Sequence, residues 1–210
     1  MTNKTADQKE ERLNTVSHLV GALFGVFGFY FLLIRNSHKT DYATFSIIVY
    51  SFTFILMFIA SSLYHHVSFA RFRNKLRILD HICIYLLIAG TYTPVALITL
   101  INGNGWDIFI YVWFIAAIGA LLKLFFTGKY EFVSLLLYLV MGWLIVLDFQ
   151  NLLDHTQKFG RNLLFMGGGF YTAGIFFYAI EKIPYNHFIW HLFVLAGALS
   201  HWLFIFLDVI

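Results

Sequence analysis

The sequence predicts an all-α membrane protein, a bundle of seven transmembrane helices, and two observations carry that reading. Over 210 residues, with 60% hydrophobic and 12% charged side chains, the mean hydropathy is +0.76, far too apolar for a soluble domain. The chain also divides into seven apolar runs, each about 20 residues and so the length of a bilayer-spanning helix, separated by short charged or turn-forming loops.

The first run, near 16 to 35, follows the wholly polar stretch MTNKTADQKEER and is too long for the apolar core of a signal peptide. It reads as a helix that stays in the membrane, with residues 1–15 as a cytoplasmic segment ahead of it. The second run, near 42 to 66, ends in Ser61-Ser-Leu-Tyr-His65-His66, and the third, near 78 to 101, is opened by Asp80. The turn Asn102-Gly-Asn-Gly105 leads into the fourth run, 106 to 126, and Thr127-Gly-Lys129 into the fifth, 132 to 149. The sixth spans 162 to 180. After Ile183-Pro184 the seventh runs from 187 to 208. There is no internal repeat and no low-complexity tract, so residues 16–210 form one transmembrane domain.

Orientation follows from the basic residues, because cytoplasmic loops retain Lys and Arg. Of the 14, ten lie on the side of the N-terminus: Lys4, Lys9, Arg12, Arg71, Arg73, Lys75, Arg77, Lys123, Lys129 and Lys182. Four lie opposite: Arg35, Lys39, Lys158 and Arg161. The N-terminus is expected in the cytoplasm and the C-terminus outside. Basic residues divided among loops form no continuous face for nucleic acid, and the lone Cys83 excludes an internal disulfide and a Cys-rich metal cluster.

Histidines in an apolar helix are costly and usually functional. His187 and His191 lie about 40° apart on one helical face and roughly 6 Å apart along the axis, so they can share one metal ion. His201 falls about 15 Å further on and cannot reach that ion. The expected topology brings His65, Asp80, Glu11, Asn14 and His18 to the same cytoplasmic level. A third imidazole comes from the end of the second run, where periodicity alone does not choose between His65, which shares a face with Ser61, and His66, which shares one with Ser62. Three neutral imidazoles with one open position suit zinc, whose bound water titrates near pH 7.

These motifs, Glu11-x-x-Asn-x-x-Ser-His18, Ser61-x-x-Tyr-His65, Asp80, and His187-x-x-x-His191 with a later His201, together resemble the haemolysin III branch of the progestin and adipoQ receptor family. The resemblance runs from about residue 10 to the C-terminus. It implies a zinc ion held by His65, His187 and His191, a zinc-bound water held by Asp80, and Ser61 beside the site. It also implies a multi-pass protein of the bacterial plasma membrane. Because the wider superfamily includes ceramidases, it points to metal-dependent hydrolysis of an acyl-lipid amide or ester, with membrane lipids as substrate or ligand and Asp80 taking up and returning the proton.

Plainer roles stand beside these. Asp80 could pair with Arg77 or contact His81, Ser61 could bond back to its own helix, and Glu11 with Asn14 could form the opening turn of the first helix. His18 and His201 are assigned structural or supporting roles. A zincin-type protease is disfavoured, since Phe188 stands where the glutamate of HExxH would be, and a retinal photoreceptor is excluded by the lack of a lysine in the seventh run. The competing function is a lipid-state sensor or membrane-permeabilising haemolysin with a structural zinc. A pore fits poorly with runs whose middles are Phe, Leu and Ile.

Overall fold

The computed structural model describes residues 4–180 and 182–210. Among the described residues, seven helical spans run in alternating directions: α1 (Lys4–Arg35), α2 (Ala43–His66), α3 (Ala70–Pro94), α4 (Gly105–Phe126), a bent span made of α5 (Glu131–Gly142) and α6 (Phe149–His155), α7 (Lys158–Ala179) and α8 (Asn186–Phe204). Neighbours in sequence pack side by side along α1, α2, α3 and α4, α7 packs along α8, and α8 returns against α1. Among the described residues, six of these spans are both long and apolar enough to cross a membrane. The seventh, α7, has the length at 22 residues, but three consecutive glycines, Asn162 and two tyrosines dilute its apolar character.

Two helices begin earlier than the apolar runs suggest. α1 is helical from Lys4, so the segment 1–15 continues into the first span from that residue onward, because Lys, Gln, Glu, Arg and Leu are strong helix formers. α3 starts at Ala70, which sets Asp80 almost three turns inside it rather than at its opening. Hydropathy marks where a helix enters the hydrocarbon, not where its hydrogen bonding starts.

Small residues bring the helices together, as expected where lipid offers no hydrophobic drive for association. Gly21 and Gly25 of α1 receive Phe58 and Phe54 of α2, and Gly28 receives Trp202. On α7, Gly160, Gly167 and Gly174 recur every seven residues and take Asp208, His201 and Trp190 from the C-terminal segment. The outward faces are large and apolar, with Phe27, Phe114, Phe125 and Phe132 all more than 60% exposed.

The bend in the fifth span has an identifiable cause. The Tyr92 hydroxyl of α3 donates to the Gly142 carbonyl at 2.9 Å and accepts from the Ile145 amide at 3.0 Å, so a side chain is wedged into the backbone ladder. A 3₁₀ turn, Leu144–Asp148, follows. At the opposite end of the bundle from the histidine pair, Lys39 donates to the carbonyls of Asp208 and Val209, both at 3.0 Å, and the Asp208 carboxylate accepts from the Gln157 amide at 2.9 Å at the start of α7.

Candidate metal centre

α2 ends and α8 begins at the same end of the bundle, and this brings His65, His187 and His191 together. Each offers a ring nitrogen within 4.8 Å of the others. The His65 ring centroid lies 5.0 Å from that of His187 and 4.8 Å from that of His191, and the two α8 rings are 4.8 Å apart. The decisive measurement is between nitrogens: Nε2 of His65 stands 3.3 Å from Nε2 of His187. Two nitrogens on one tetrahedral zinc, each at about 2.0–2.1 Å, lie about 3.3 Å apart. A direct hydrogen bond from a ring N–H is usually shorter, about 2.9–3.0 Å. The His65 and His187 pair therefore has the spacing of two donors on one metal ion, with His191 beside them. His65 is buried whereas its neighbour His66 is exposed, which separates the two adjacent imidazoles that periodicity leaves equivalent.

The second nitrogen of His65 is also committed. Its Nδ1 lies 2.6 Å from Glu11 Oε2, so Nδ1–H donates to the carboxylate and the Nε2 lone pair faces His187. Arg73 of α3 donates to the other carboxylate oxygen of Glu11, and its guanidinium lies 5.2 Å from the Tyr64 ring centroid. Glu10, the preceding residue, accepts at 3.2 Å from the amide of Phe188, one of the unpaired donors in the first turn of α8. Glu11 is thus not part of an opening turn. It lies inside α1 and crosses to α2.

His18, two turns further along α1, stacks on His191 with centroids 3.7 Å apart and meets Phe58 edge-on at 5.0 Å. It is 2% exposed, and neither of its ring nitrogens nor the Asn14 side-chain oxygen has a hydrogen-bond partner among the described residues.

A cavity of about 110 Å³ opens from this cluster, many times the 10–15 Å³ or so that one water needs. His18, Ser61, Asp80, His187 and His191 line it near the cluster, and Leu87, Ile88, Leu135, Ile175 and Val194 continue its wall. Its lining also includes Tyr92, Trp143, Gly168 and His201, the last of these about 15 Å along α8 from His191. His201 Nε2–H donates to the Leu164 carbonyl at 3.0 Å, and the ring packs against Gly167, as suits a residue holding α7 to α8.

Arg77 points to Glu131, with Nη2 4.0 Å from Oε1, and Asp80 has no ion pair among the described residues. The Ser62 hydroxyl donates to the Thr15 carbonyl at 2.6 Å, tying α2 to α1. Sequence reasoning missed a further cluster at the same end. The Lys123 ammonium, 1% exposed, donates to Glu131 Oε2 at 2.6 Å, while Oε1 accepts from the Gly128 amide at 3.0 Å and lies 3.8 Å from His81 Nδ1. A lysine and a glutamate eight residues apart across a Thr-Gly turn were the available signal.

Among the described residues, seven helical spans, six of them long and apolar enough to cross a membrane, with three convergent histidines at one end, two buried and one half-buried, define a multi-pass integral membrane protein with a candidate metal centre. The chain belongs to the haemolysin-III-related family, whose profile matches residues 6–202. It is 40% identical over 199 residues to Hemolysin-3 of Bacillus cereus, covering 94% of this chain and 91% of that protein. To the Hemolysin-3 homolog of Bacillus subtilis (strain 168) it is 36% identical over 191 residues, 90% of each chain. Human monocyte to macrophage differentiation factor is 30% identical over 164 residues, 73% of this chain and 66% of that protein, a distant kinship with the progestin and adipoQ receptor type. No solved structure matches the chain.

Proposed function

We propose that the chain is a zinc-dependent hydrolase of an acyl-lipid amide or ester, with His65, His187 and His191 holding the zinc ion. The 3.3 Å separation of the His65 and His187 Nε2 atoms at the head of an apolar cavity is the observation that carries this reading. Bound there, zinc would supply a Lewis acid for a carbonyl oxygen and a water acidified toward neutrality.

The remaining work falls to the chain. Leu87, Ile88, Leu135, Ile175 and Val194 offer an acyl chain leaving the bilayer an apolar wall, so that affinity comes from packing contacts and not from removal from water. Asp80, on the wall near the histidines, takes a proton on its carboxylate from the attacking water and returns it to the departing amine or alcohol. Ser61, on the same wall, orients the reacting group by hydrogen bonding. The basic asymmetry of the loops supports a cytoplasmic location for this end.

Fatty-acid release by the purified protein in detergent, across a panel of ceramides and related acyl lipids and with zinc measured in each sample, tests the reading. Asp80→Asn should keep the metal and lose roughly 10²-fold or more of the turnover, the scale of a lost general base. Equal release by both would take the proton-transfer role from Asp80. If the wild type releases nothing above a metal-free control, the hydrolase reading falls. The B. cereus relative is named for lysis, so leakage from loaded vesicles in that event would favour a permeabilising function with structural zinc.

A further inference from the structure

We infer that α1, which carries none of the three histidines, is the positioning helix of the metal centre: Glu10 and Glu11 each hold a different histidine-bearing helix, and Glu11 braced by Arg73 sets the donor state of His65. The inference rests on the zinc reading above and adds residues to it.

The donor atoms come from α2 and α8. α1 packs along both, while α2 and α8 touch each other much less. Their relative position is therefore defined through α1, and a metal site needs its donors placed within about 0.2 Å. Successive residues on a helix diverge by about 100°, so two adjacent carboxylates can serve two neighbours. Glu11 turns to α2 and receives His65 Nδ1–H at 2.6 Å, and Glu10 turns to α8 and receives the Phe188 amide at 3.2 Å, one residue from His187.

The two contacts differ in kind. Glu11 touches a ligand ring, fixes its tautomer and raises the basicity of Nε2, an effect that needs negative charge. Arg73 holds the second oxygen of that carboxylate and also lies against Tyr64, the residue before His65, so Glu11 cannot swing away without releasing both. Glu10 touches backbone only, where any acceptor at the helix start would serve.

The difference gives the experiment, carried out on the full-length protein in detergent. Zinc affinity is read by chelator competition, site geometry by the visible absorption of the cobalt-loaded protein, and folding by melting temperature. Glu11→Gln should weaken zinc binding by about 10-fold and Glu11→Ala by up to about 100-fold, with an altered cobalt spectrum. Glu10→Ala should also weaken binding, whereas Glu10→Gln should restore it, because an acceptor suffices there. Should Glu11→Ala fail to fold, Glu11→Gln decides; should Glu10→Ala fail to fold, Glu10→Met decides, since it keeps the length but offers the Phe188 amide no oxygen acceptor, and wild-type affinity in it would overturn the role of Glu10. Wild-type affinity and spectrum in Glu11→Gln would overturn the role of Glu11, and the same result in Glu10→Ala would overturn that of Glu10. A wild type that binds neither zinc nor cobalt would sink the metal reading and this inference with it.

Discussion

The rings of His18 and His191 lie flat on one another, with centroids 3.7 Å apart and planes 19° apart. A stack this close blocks rotation of His191, which is 2% exposed, and so fixes the edge it turns toward His65 and His187. α1 thereby touches the site a third time, after Glu10 and Glu11.

Metal analysis of histidine variants should separate donors from bystanders. The wild type should carry about one zinc per chain, and His65→Ala, His187→Ala and His191→Ala should each lose it, since two protein donors are too few. His66→Ala and His201→Ala should retain it, one exposed and the other bonded to Leu164. Zinc lost from His66→Ala but kept in His65→Ala would reverse the choice between the two.

Cysteine tagging should report the topology. A cysteine added at the N-terminus should be shielded from an impermeant thiol reagent in intact cells, and one placed after Ile210 should react. The only native cysteine, Cys83, is 0% exposed and contributes no background. The opposite labelling pattern would move the histidine centre to the outer face.

Glycine substitutions on α7 should split by face. A Cβ on Gly174 would meet the Trp190 and Phe193 side chains at 2.8 Å, so Gly174→Ala should cost about 1–3 kcal/mol. A Cβ on Gly169 meets nothing within 4 Å, so Gly169→Ala should be neutral or stabilise by about 0.5–1 kcal/mol through helix propensity. Thermal melting in detergent measures both, and equal effects would contradict the packing described.

The Lys123 and Glu131 pair makes a different demand. Glu131→Ala leaves a buried ammonium without its partner and should destabilise by about 3–5 kcal/mol, whereas the double variant Lys123→Met with Glu131→Gln should recover most of that loss. If Glu131→Ala melts with the wild type, the pair does not hold α4 to α5.

Much of this was legible in the sequence because hydropathy and helical spacing are local properties. The seven runs, the shared face of His187 and His191 and the remoteness of His201 all follow from one segment at a time. The partnership of Glu11 with His65 joins residues 54 positions apart, and no periodicity encodes which neighbour a carboxylate meets. Helical spacing alone left His65 and His66 equivalent and only the family resemblance pointed to His65, because which face of α2 is buried is a property of the assembled bundle. The early starts of α1 and α3 were hidden for another reason, since they lie where polar composition masks a continuous helix.

Tyr92 adds a constraint on how the cavity can change shape. The backbone groups it satisfies at Gly142 and Ile145 lie at membrane depth, where an unpaired amide or carbonyl costs several kcal/mol. The bend of the fifth span and the phenol oxygen that occupies it must therefore come and go together. Gly142 and Trp143, at that bend, form part of the cavity wall, so the contour met by anything inside is dictated from across the bundle by α3 and cannot relax independently of it.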